Sequence, residues 1–471
     1  MKDKSRNKKT AVVILAAGLG KRMKSDIPKV LHRICGGTLL DFVLDEVARL
    51  EAGEVVVVVS HGADDVCSEV GARALCCEQS EQKGTGHAVM VALEALDPRF
   101  KEVLVLPGDS PLIKASTLQG LLSEREEAAA AASLLTAEVD NPSGYGRVIT
   151  DGSGHALGIV EDSDASPEEL AINEINTSMY AFDRALLDEA LKALKPNNAQ
   201  GEYYLTDVVE QFMSAGRMVV AIRGTPEEAL GINDREQLAE AGTLMRKRIN
   251  SALMVEGVTL VDPDRTYIDH GVEVGRDTVI MPLVFASGAT RIGSGCKVGP
   301  CSEINDSVIG DHCDLGFCWL DAVEVADRVT IGPYSKLRPG CKIGPGCKIG
   351  SFVEMKNTVV GEGSKVPHLS YMGDADIGRE ANIGAGSITC NYDGESKHRT
   401  VVGDNAFIGS DTMMVAPVEI GESATTGAGS TIYKDVPANA LGIERTEQKN
   451  VADWREKKKG HRVAGRSRRV R

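Results

Sequence analysis

Residues 325–355 read VADRVTIGPYSKLRPGCKIGPGCKIGSFVEM. Val325, Ile331, Leu337, Ile343, Ile349 and Met355 recur at intervals of six, and three of them are followed by glycine. Val402, Ile408, Met414, Ile420, Thr426 and Ile432 repeat the count further on. A period of six fits neither the 3.6 of an α-helix nor the 2 of a simple strand. It fits a β-solenoid in which each hexad forms one short flat face and three hexads close a triangular coil. The ladder runs from Val272 to Ile432, and chemistry is expected where it breaks.

The rest of the 471-residue chain is too long to share that one core, so a second domain is expected. Hydrophobic content of 42% and charge of 26% describe a soluble globular protein. The net charge of −15 hides two basic ends, at residues 1–9 and 455–471. Such ends read as solvated extensions, with no specific nucleic-acid binding expected. No apolar run approaches the ~20 residues needed to cross a bilayer. The eleven cysteines form no CxxC pair, and a reducing cytoplasm is the expected location.

Residues 10–233 alternate strand-like runs (Val12–Leu15, Val55–Val59, Val103–Leu106) with helix-like ones. In Leu39–Leu50, residues Leu40, Val43, Leu44 and Val47 share one face. The alternation predicts a parallel sheet covered by helices, with ligands at the carboxyl ends of the strands. Residues 234–254 read as a linking helix, 255–454 as the solenoid domain.

The first strand leads into Leu15-Ala16-Ala17-Gly18-Leu19-Gly20-Lys21-Arg22-Met23, followed by Pro28-Lys29. Glycines let backbone N–H groups approach a phosphate, and Arg22 and Lys29 supply the charge that a triphosphate needs. The loop lacks the third glycine of a dinucleotide fingerprint. This string resembles the signature of the sugar-phosphate nucleotidyltransferases. Gln79-x-x-Gln82-x-Gly84-Thr85-Gly86-His87 offers amide and backbone groups for a pyrimidine edge. Gly108-Asp109 follows a strand end, where a carboxylate suits Mg²⁺. Gly144-Tyr145-Gly146-Arg147, Glu161, Asn176 and Asn233 could hold a sugar and complete a metal site.

Two polar strings interrupt the hexad ladder: Pro367-His368-Leu369-Ser370-Tyr371-Met372-Gly373-Asp374-Ala375, and Thr389-Cys390-Asn391-Tyr392-Asp393-Gly394 running on to Lys397. A scaffold has no use for these residue types, so a site is expected there. His368 is the natural general base near neutral pH. His270, His312 and His398 read as structural.

With Gln200-Gly201-Glu202-Tyr203-Tyr204-Leu205-Thr206-Asp207, these motifs span nearly the whole chain. They resemble the bacterial family of bifunctional N-acetylglucosamine-1-phosphate uridylyltransferases and glucosamine-1-phosphate N-acetyltransferases. The resemblance implies an α/β, Rossmann-like mixed-sheet nucleotidyltransferase domain and a left-handed parallel β-helix of hexapeptide repeats. It implies synthesis of UDP-N-acetylglucosamine for peptidoglycan and lipopolysaccharide, from UTP and acetyl-CoA with Mg²⁺, by a homotrimer whose acetyltransferase sites lie at subunit boundaries. By the same resemblance Leu15, Ala16, Ala17, Gly18, Gln79, Gly84, Thr85 and Gly108 hold the uridine nucleotide, with Arg22 and Lys29 on the phosphates. Gly146, Glu161 and Asn176 hold the N-acetylglucosamine part; Asp109 and Asn233 hold Mg²⁺. Arg338, Lys356, Tyr371 and Asn382 are implied for glucosamine phosphate, and Glu354 to orient His368. Ala385, Asn391, Tyr392, Ser410, Ala428 and Arg445 are implied for acetyl-CoA. Two residues depart from the family pattern: Ser163 stands where a lysine is usual, and Pro107 precedes Gly108. The competing readings are a nucleotidyltransferase with an inert solenoid, and a non-enzymatic assembly subunit. The polar strings around His368 and Tyr392 argue against the first. Arg22, Lys29, Asp109 and Asn233 argue against the second.

Overall fold

A computed structural model describes residues 9–458, apart from 19, 61–62, 152–153, 163 and 197–200. The chain separates into two compact units, one of residues 1–253 with 267–270 and one of 254–266 with 271–471.

The first unit is built on a mixed sheet of nine strands: β1 Thr10–Leu15, β2 Glu54–Ser60, β3 Leu75–Gln79, β4 Glu102–Pro107, β5 Ala132–Glu138, β6 Arg147–Thr150, β7 Ala156–Val160, β8 Glu174–Asp183 and β9 Val219–Arg223. The main order is β9-β5-β8-β4-β1-β2-β3, with β6 pairing β8 and β7. Strands β4, β1, β2 and β3 run parallel, as the alternation predicts. The sheet turns mixed at β8, which lies antiparallel between β4 and β5. Its register slips between Asn176 and Tyr180, where Ser178 takes φ +61°. That slip breaks the period-2 pattern by which a strand is recognised, so alternation alone misses it.

Alternate residues of β1 point to opposite faces. Ala11 and Val13 join one apolar cluster, Val12 and Ile14 another. The helix Leu39–Arg49 buries Leu40, Val43, Leu44 and Val47 as expected, and is started by a capping box between Thr38 and Asp41. Arg235–Val255 forms a 21-residue helix that buries Ala241 and Met245. No described helix is long and apolar enough to cross a membrane.

The second unit is a three-faced parallel β-helix. Its strands fall into sheets of 11, 10 and 9, and each strand pairs with the one three further along the chain until the last pair, Thr425–Thr426 with Leu441–Gly442, which are two apart. We call the face holding Lys365–His368 the first, that holding Tyr371–Gly373 the second, and that holding Ala375–Ile377 the third. All twelve ladder residues quoted above are buried, none more than 5% exposed. Each fully buried aliphatic contributes about 1.5–3 kcal/mol, so the inward column is what holds the coil together.

Only one of the two expected breaks is an insertion. Lys348 pairs with Lys365, and Lys365 with Asn382, by the same step along the chain, so the coil through His368 has ordinary length. Asn382 pairs with Phe407 and Ala375 with Thr400 by a longer step, so the extra chain lies around Asn391–Lys397. The physical reason is that the coil constrains inward positions alone. Val366, Met372, Ala375 and Ile377 remain buried while outward and corner positions are free to carry polar groups.

Candidate active sites

In the first unit, Leu15, Gln79 and Pro107 are the last residues of β1, β3 and β4, so the parallel strands deliver them to one edge. They line a cleft of about 460 Å³ with Arg22, Lys29 and Asp109. Gly20 takes φ +56°, and a Cβ there would stand 2.8 Å from that of Lys29, so glycine lets the loop close on the lysine turn. Met23 is 1% exposed and anchors the short 3-10 turn that carries Arg22. Gly108 donates its N–H to the Leu15 carbonyl at 2.9 Å, which ties the phosphate loop to the strand end below Asp109. Pro107 has no N–H to give and contributes apolar wall to the cleft.

Gln79 is 3% exposed. Its Nε2 donates to the Gly84 carbonyl at 3.1 Å and to His87 Nδ1 at 3.0 Å. With both amide protons used, its carbonyl oxygen is what remains to accept from a ligand such as the N3–H of uracil. Gly84 takes φ +98°, and a Cβ there would meet the Tyr203 carbonyl at 2.6 Å. Gly86 N–H donates to that carbonyl at 2.8 Å, and Leu205 N–H donates to Thr85 Oγ1 at 3.1 Å. Two motifs far apart in the chain are thereby stitched together. Gln82, expected to offer its amide to a pyrimidine edge, donates instead to the Ala17 carbonyl at 2.7 Å and links its loop to the glycine loop.

Lys29, Asp109 and Asn233 meet at one point. The Lys29 ammonium is ion-paired with Asp109 and donates to Asn233 Oδ1 at 3.2 Å. A carboxylate and an amide oxygen that already converge on one cation form the hard-oxygen pair that Mg²⁺ takes alongside phosphate oxygens. Among the described residues there is no group of three or more His, Cys, Asp or Glu suited to a metal, so substrate oxygens would have to complete the shell. Asp109 and Asn233 therefore fit the ion expected of them.

A second cavity of about 450 Å³, sharing Leu15, Thr85 and Gly144 with the first, holds Glu161. Gly146 lies against Glu161, where a Cβ would stand 3.4 Å from Oε2, and its carbonyl accepts the Asn176 N–H at 2.8 Å. The Asn176 amide is fixed by Tyr180 Oη at 2.7 Å. Burial pushes the Glu161 carboxyl above the usual range, and Asp164, Asp207 and Asp162 add to this against a hydrogen bond from Thr206. An ionised Glu161 would accept from the hydroxyls of a ligand in this cavity; the acid form would do so less well. If the sugar expected here binds against Glu161, its KM should climb as pH falls, starting above the ordinary Glu value of about 4.3. Glu161→Gln should flatten that limb, as initial rates across pH would show. Ser163, Leu19 and Gln200 lie outside the described residues, as do residues 1–8 and 459–471 of the basic ends.

In the second unit the coil pitch gathers the expected residues into two columns. Lys365, Asn382, Phe407 and Thr425 pair in succession on the first face. Three positions beyond each come His368, Ala385, Ser410 and Ala428, which thus share the corner between the first and second faces. Arg445 joins them by donating to the Ala428 carbonyl at 3.0 Å. His368 is exposed, and its carbonyl accepts from Ser370 Oγ at 2.8 Å and from Gly386 N–H at 3.3 Å.

The other column stands at the corner between the second and third faces. Lys336 pairs with Glu354, so Arg338 and Lys356, two positions on, are stacked. Lys397 joins them from the long loop, and contact with it is the main cause that lowers the Lys356 pKa. That loop is tied by Asp393, which accepts from Glu395 and Ser396 N–H at 2.8 and 2.7 Å and from His398 Nε2 at 2.6 Å. His398, expected to be structural, holds the loop through that bond. Tyr371 lies on the second face, in register with Glu354.

Three expectations meet a different geometry. Glu354, expected to orient His368, instead accepts at Oε1 from Arg338 Nη1 at 3.2 Å, because its strand ends at the cation corner. Asn382 lies on the first face, away from Arg338 and Lys356, and Asn391 lies at the cation corner, away from Ala385, Ser410 and Ala428. Lys397 and Asp374 belong to this corner without any role expected from the sequence. Both lie in the two polar strings, but a string does not say which of its members meet; the step between paired coils is the signal that could have brought Asp374 beside Lys356.

Known proteins match both units. The MobA-like NTP transferase domain family matches residues 12–157, and the bacterial transferase hexapeptide (six repeats) family matches 322–357 and 399–434. With three all-parallel sheets, the latter is the pattern of a left-handed β-helix. The "Bifunctional protein GlmU" of Thermoanaerobacter pseudethanolicus is 48% identical over 442 residues, 94% of this chain and 96% of that protein. The protein of the same name from Caldanaerobacter subterraneus subsp. tengcongensis is 48% identical over 446 residues, 95% and 97% of the two chains. That from Trichlorobacter lovleyi is 47% identical over 455 residues, 96% and 99% of the two chains.

Proposed function

Since the chain belongs to the bifunctional GlmU family, we propose that its two domains make UDP-N-acetylglucosamine with the residues gathered above. The chain is a bifunctional transferase. Its β-helix acetylates glucosamine-1-phosphate from acetyl-CoA, and its N-terminal domain transfers uridylyl from UTP to the product and releases pyrophosphate. The observation that carries the reading is the convergence of Lys29, Asp109 and Asn233 below a glycine loop closed onto a base-binding strand end.

In uridylyl transfer the sugar phosphate oxygen attacks the α-phosphorus of UTP in line, and pyrophosphate leaves. Gln79 accepts from the base, Glu161 and Asn176 hold the sugar, and Arg22 and Lys29 neutralise the triphosphate. Bound Mg²⁺ supplies charge neutralisation at the phosphate oxygens, held by Asp109 and Asn233. No covalent protein intermediate is needed; positioning and fixed charge do the work. In acetyl transfer His368 takes a proton from the amine as it attacks the thioester, Tyr371 lines the face between, and Arg338, Lys356 and Lys397 hold the phosphate. Ala385, Ser410, Ala428 and Arg445 form the corner along which acetyl-CoA lies. The cytoplasm, where UTP and acetyl-CoA are held, is the expected location.

A homotrimer is part of this reading. Asn382 and Asn391 stand on faces that one chain does not bring to their expected partners, and in this reading a neighbouring copy completes each site. The corner beside His368 also carries Leu283, Phe317, Tyr334, Phe352 and Leu369, all at φ between 48° and 61°. Bulky residues are uncommon at positive φ. Tyr334, Phe352 and Leu369 are 56%, 57% and 64% exposed, an apolar stripe of the kind that marks an interface. Sedimentation should give the trimer mass. Phe352→Glu should yield smaller species that lose acetyl transfer and keep uridylyl transfer; a monomeric wild type would sink this part.

The whole reading is tested by supplying glucosamine-1-phosphate, acetyl-CoA, UTP and Mg²⁺ and following free CoA thiol and pyrophosphate separately. Both should appear, and pyrophosphate should depend on acetyl-CoA. Thiol without pyrophosphate, or the converse, would leave half of it standing.

A further inference from the structure

Asp374 is 9% exposed, and amides occupy both of its oxygens. Asn357 Nδ2 donates to Oδ1 at 2.7 Å and Asn391 Nδ2 to Oδ2 at 2.5 Å. A buried carboxylate is costly unless it is hydrogen-bonded, and this one is bonded from the coil on either side. Its backbone extends the connection. Asp374 N–H donates to the Lys356 carbonyl at 3.0 Å, Thr400 N–H to the Asp374 carbonyl at 3.1 Å, and His398 N–H to the Asn391 carbonyl at 2.8 Å. One residue thereby joins the strand end bearing Lys356 to both ends of the long loop bearing Lys397.

The charges around it are specific. Burial would raise the Asp374 carboxyl, yet the bonds from Asn357 and Asn391 and the charges of Lys397 and Lys356 hold it below the usual range. Lys356 faces Lys397 from the loop, Arg338 from the preceding coil and Asp374 from the next. Lys397 lowers its pKa most, and Asp374 acts the other way. Glu354, on the same strand as Lys356, is engaged by Arg338, and Asp376 by Arg399. Two lysines brought together against their repulsion need a framework to hold them.

We propose that Asp374 is the positioning residue of the acetyltransferase phosphate site. It clamps the long loop so that Lys397 and Lys356 converge with Arg338 on one anion, and it places a negative charge behind them. The inference rests on the reading of that corner as the seat of glucosamine-1-phosphate.

The test uses the full-length enzyme, with CoA release measured against pH. In Asp374→Asn the KM for glucosamine-1-phosphate should rise about tenfold. The alkaline limb of the profile should move to lower pH, because Lys356 loses the carboxylate that favours its charged form. In Asn391→Ala the loop is released and Lys397 withdraws. The KM should again rise, but the limb should move to higher pH. The substrate amine titrates alike in all forms, and unchanged uridylyl transfer reports that the chain is folded. If Asp374→Asn is insoluble, the direction of the shift in Asn391→Ala decides. An unmoved limb with wild-type KM overturns the proposal. A wild-type enzyme that releases no CoA overturns instead the acetyltransferase reading on which it rests.

Discussion

His368→Ala is expected to lower the kcat for acetyl transfer by about 10²–10⁴, the usual span for a lost general base, and to leave uridylyl transfer at its wild-type rate. His368 ends a strand at the corner lined by Ala385, Ser410 and Ala428, and its described hydrogen bonds engage only its carbonyl. The ring is therefore free to meet a substrate. An ammonium group has no lone pair with which to attack a thioester, and imidazole near neutral pH is suited to take its proton. The fold is insensitive to the change, because the inward residues on either side, Val366 and Met372, are untouched and buried. CoA thiol release and pyrophosphate release on the same preparation check both halves. A loss of both in a folded protein would break the assignment.

The converse is expected of Asp109→Ala: uridylyl transfer should fall by about 10³ while acetyl transfer is unchanged. Among the described residues Asp109 is the carboxylate that meets Lys29 beside Asn233, so its removal takes away the charged half of the proposed metal pair and the partner of the lysine. The KM for UTP should rise with it, and raised Mg²⁺ should restore part of the rate, because Asn233 and the phosphate oxygens remain as ligands. Asp109→Asn, which keeps shape and one oxygen, should lie between the two. Pyrophosphate release over a Mg²⁺ series checks this. A rate independent of Mg²⁺ in both forms would remove Asp109 from the metal site.

The two sites are legible in the sequence to different depths. The inward ladder from Val325 to Met355 can be read directly, since inward positions take mainly apolar groups, with a few hydrogen-bonded ones such as Thr426, and the period survives changes elsewhere. Outward positions carry no such constraint. The polar string around His368 therefore reads as an interruption although its coil has the common length. In the first unit, Leu15 and Pro107 can be placed at one edge because parallel strands deliver their last residues together, whereas the strand that brings Gln79 beside them is seen only in the structure. Strand β8 is not legible from alternation, for its slip at Asn176–Tyr180 destroys the pattern. The columns of the β-helix depend on pitch, so the convergence of Asp374 and Lys397, each already inside a polar string, comes into view only once coils are stacked. Asn382 and Asn391 mark the remaining limit: their partners lie on faces that a single chain keeps apart.

The central claim is that two independent sites act in succession on one chain. It is tested most directly by purifying His368→Ala and Asp109→Ala separately and mixing them with glucosamine-1-phosphate, acetyl-CoA, UTP and Mg²⁺. Each variant alone should form almost no UDP-N-acetylglucosamine. The mixture should form it at a substantial fraction of the wild-type rate, because the first variant keeps a working uridylyltransferase and the second a working acetyltransferase. A mixture as inactive as either variant alone would contradict the account.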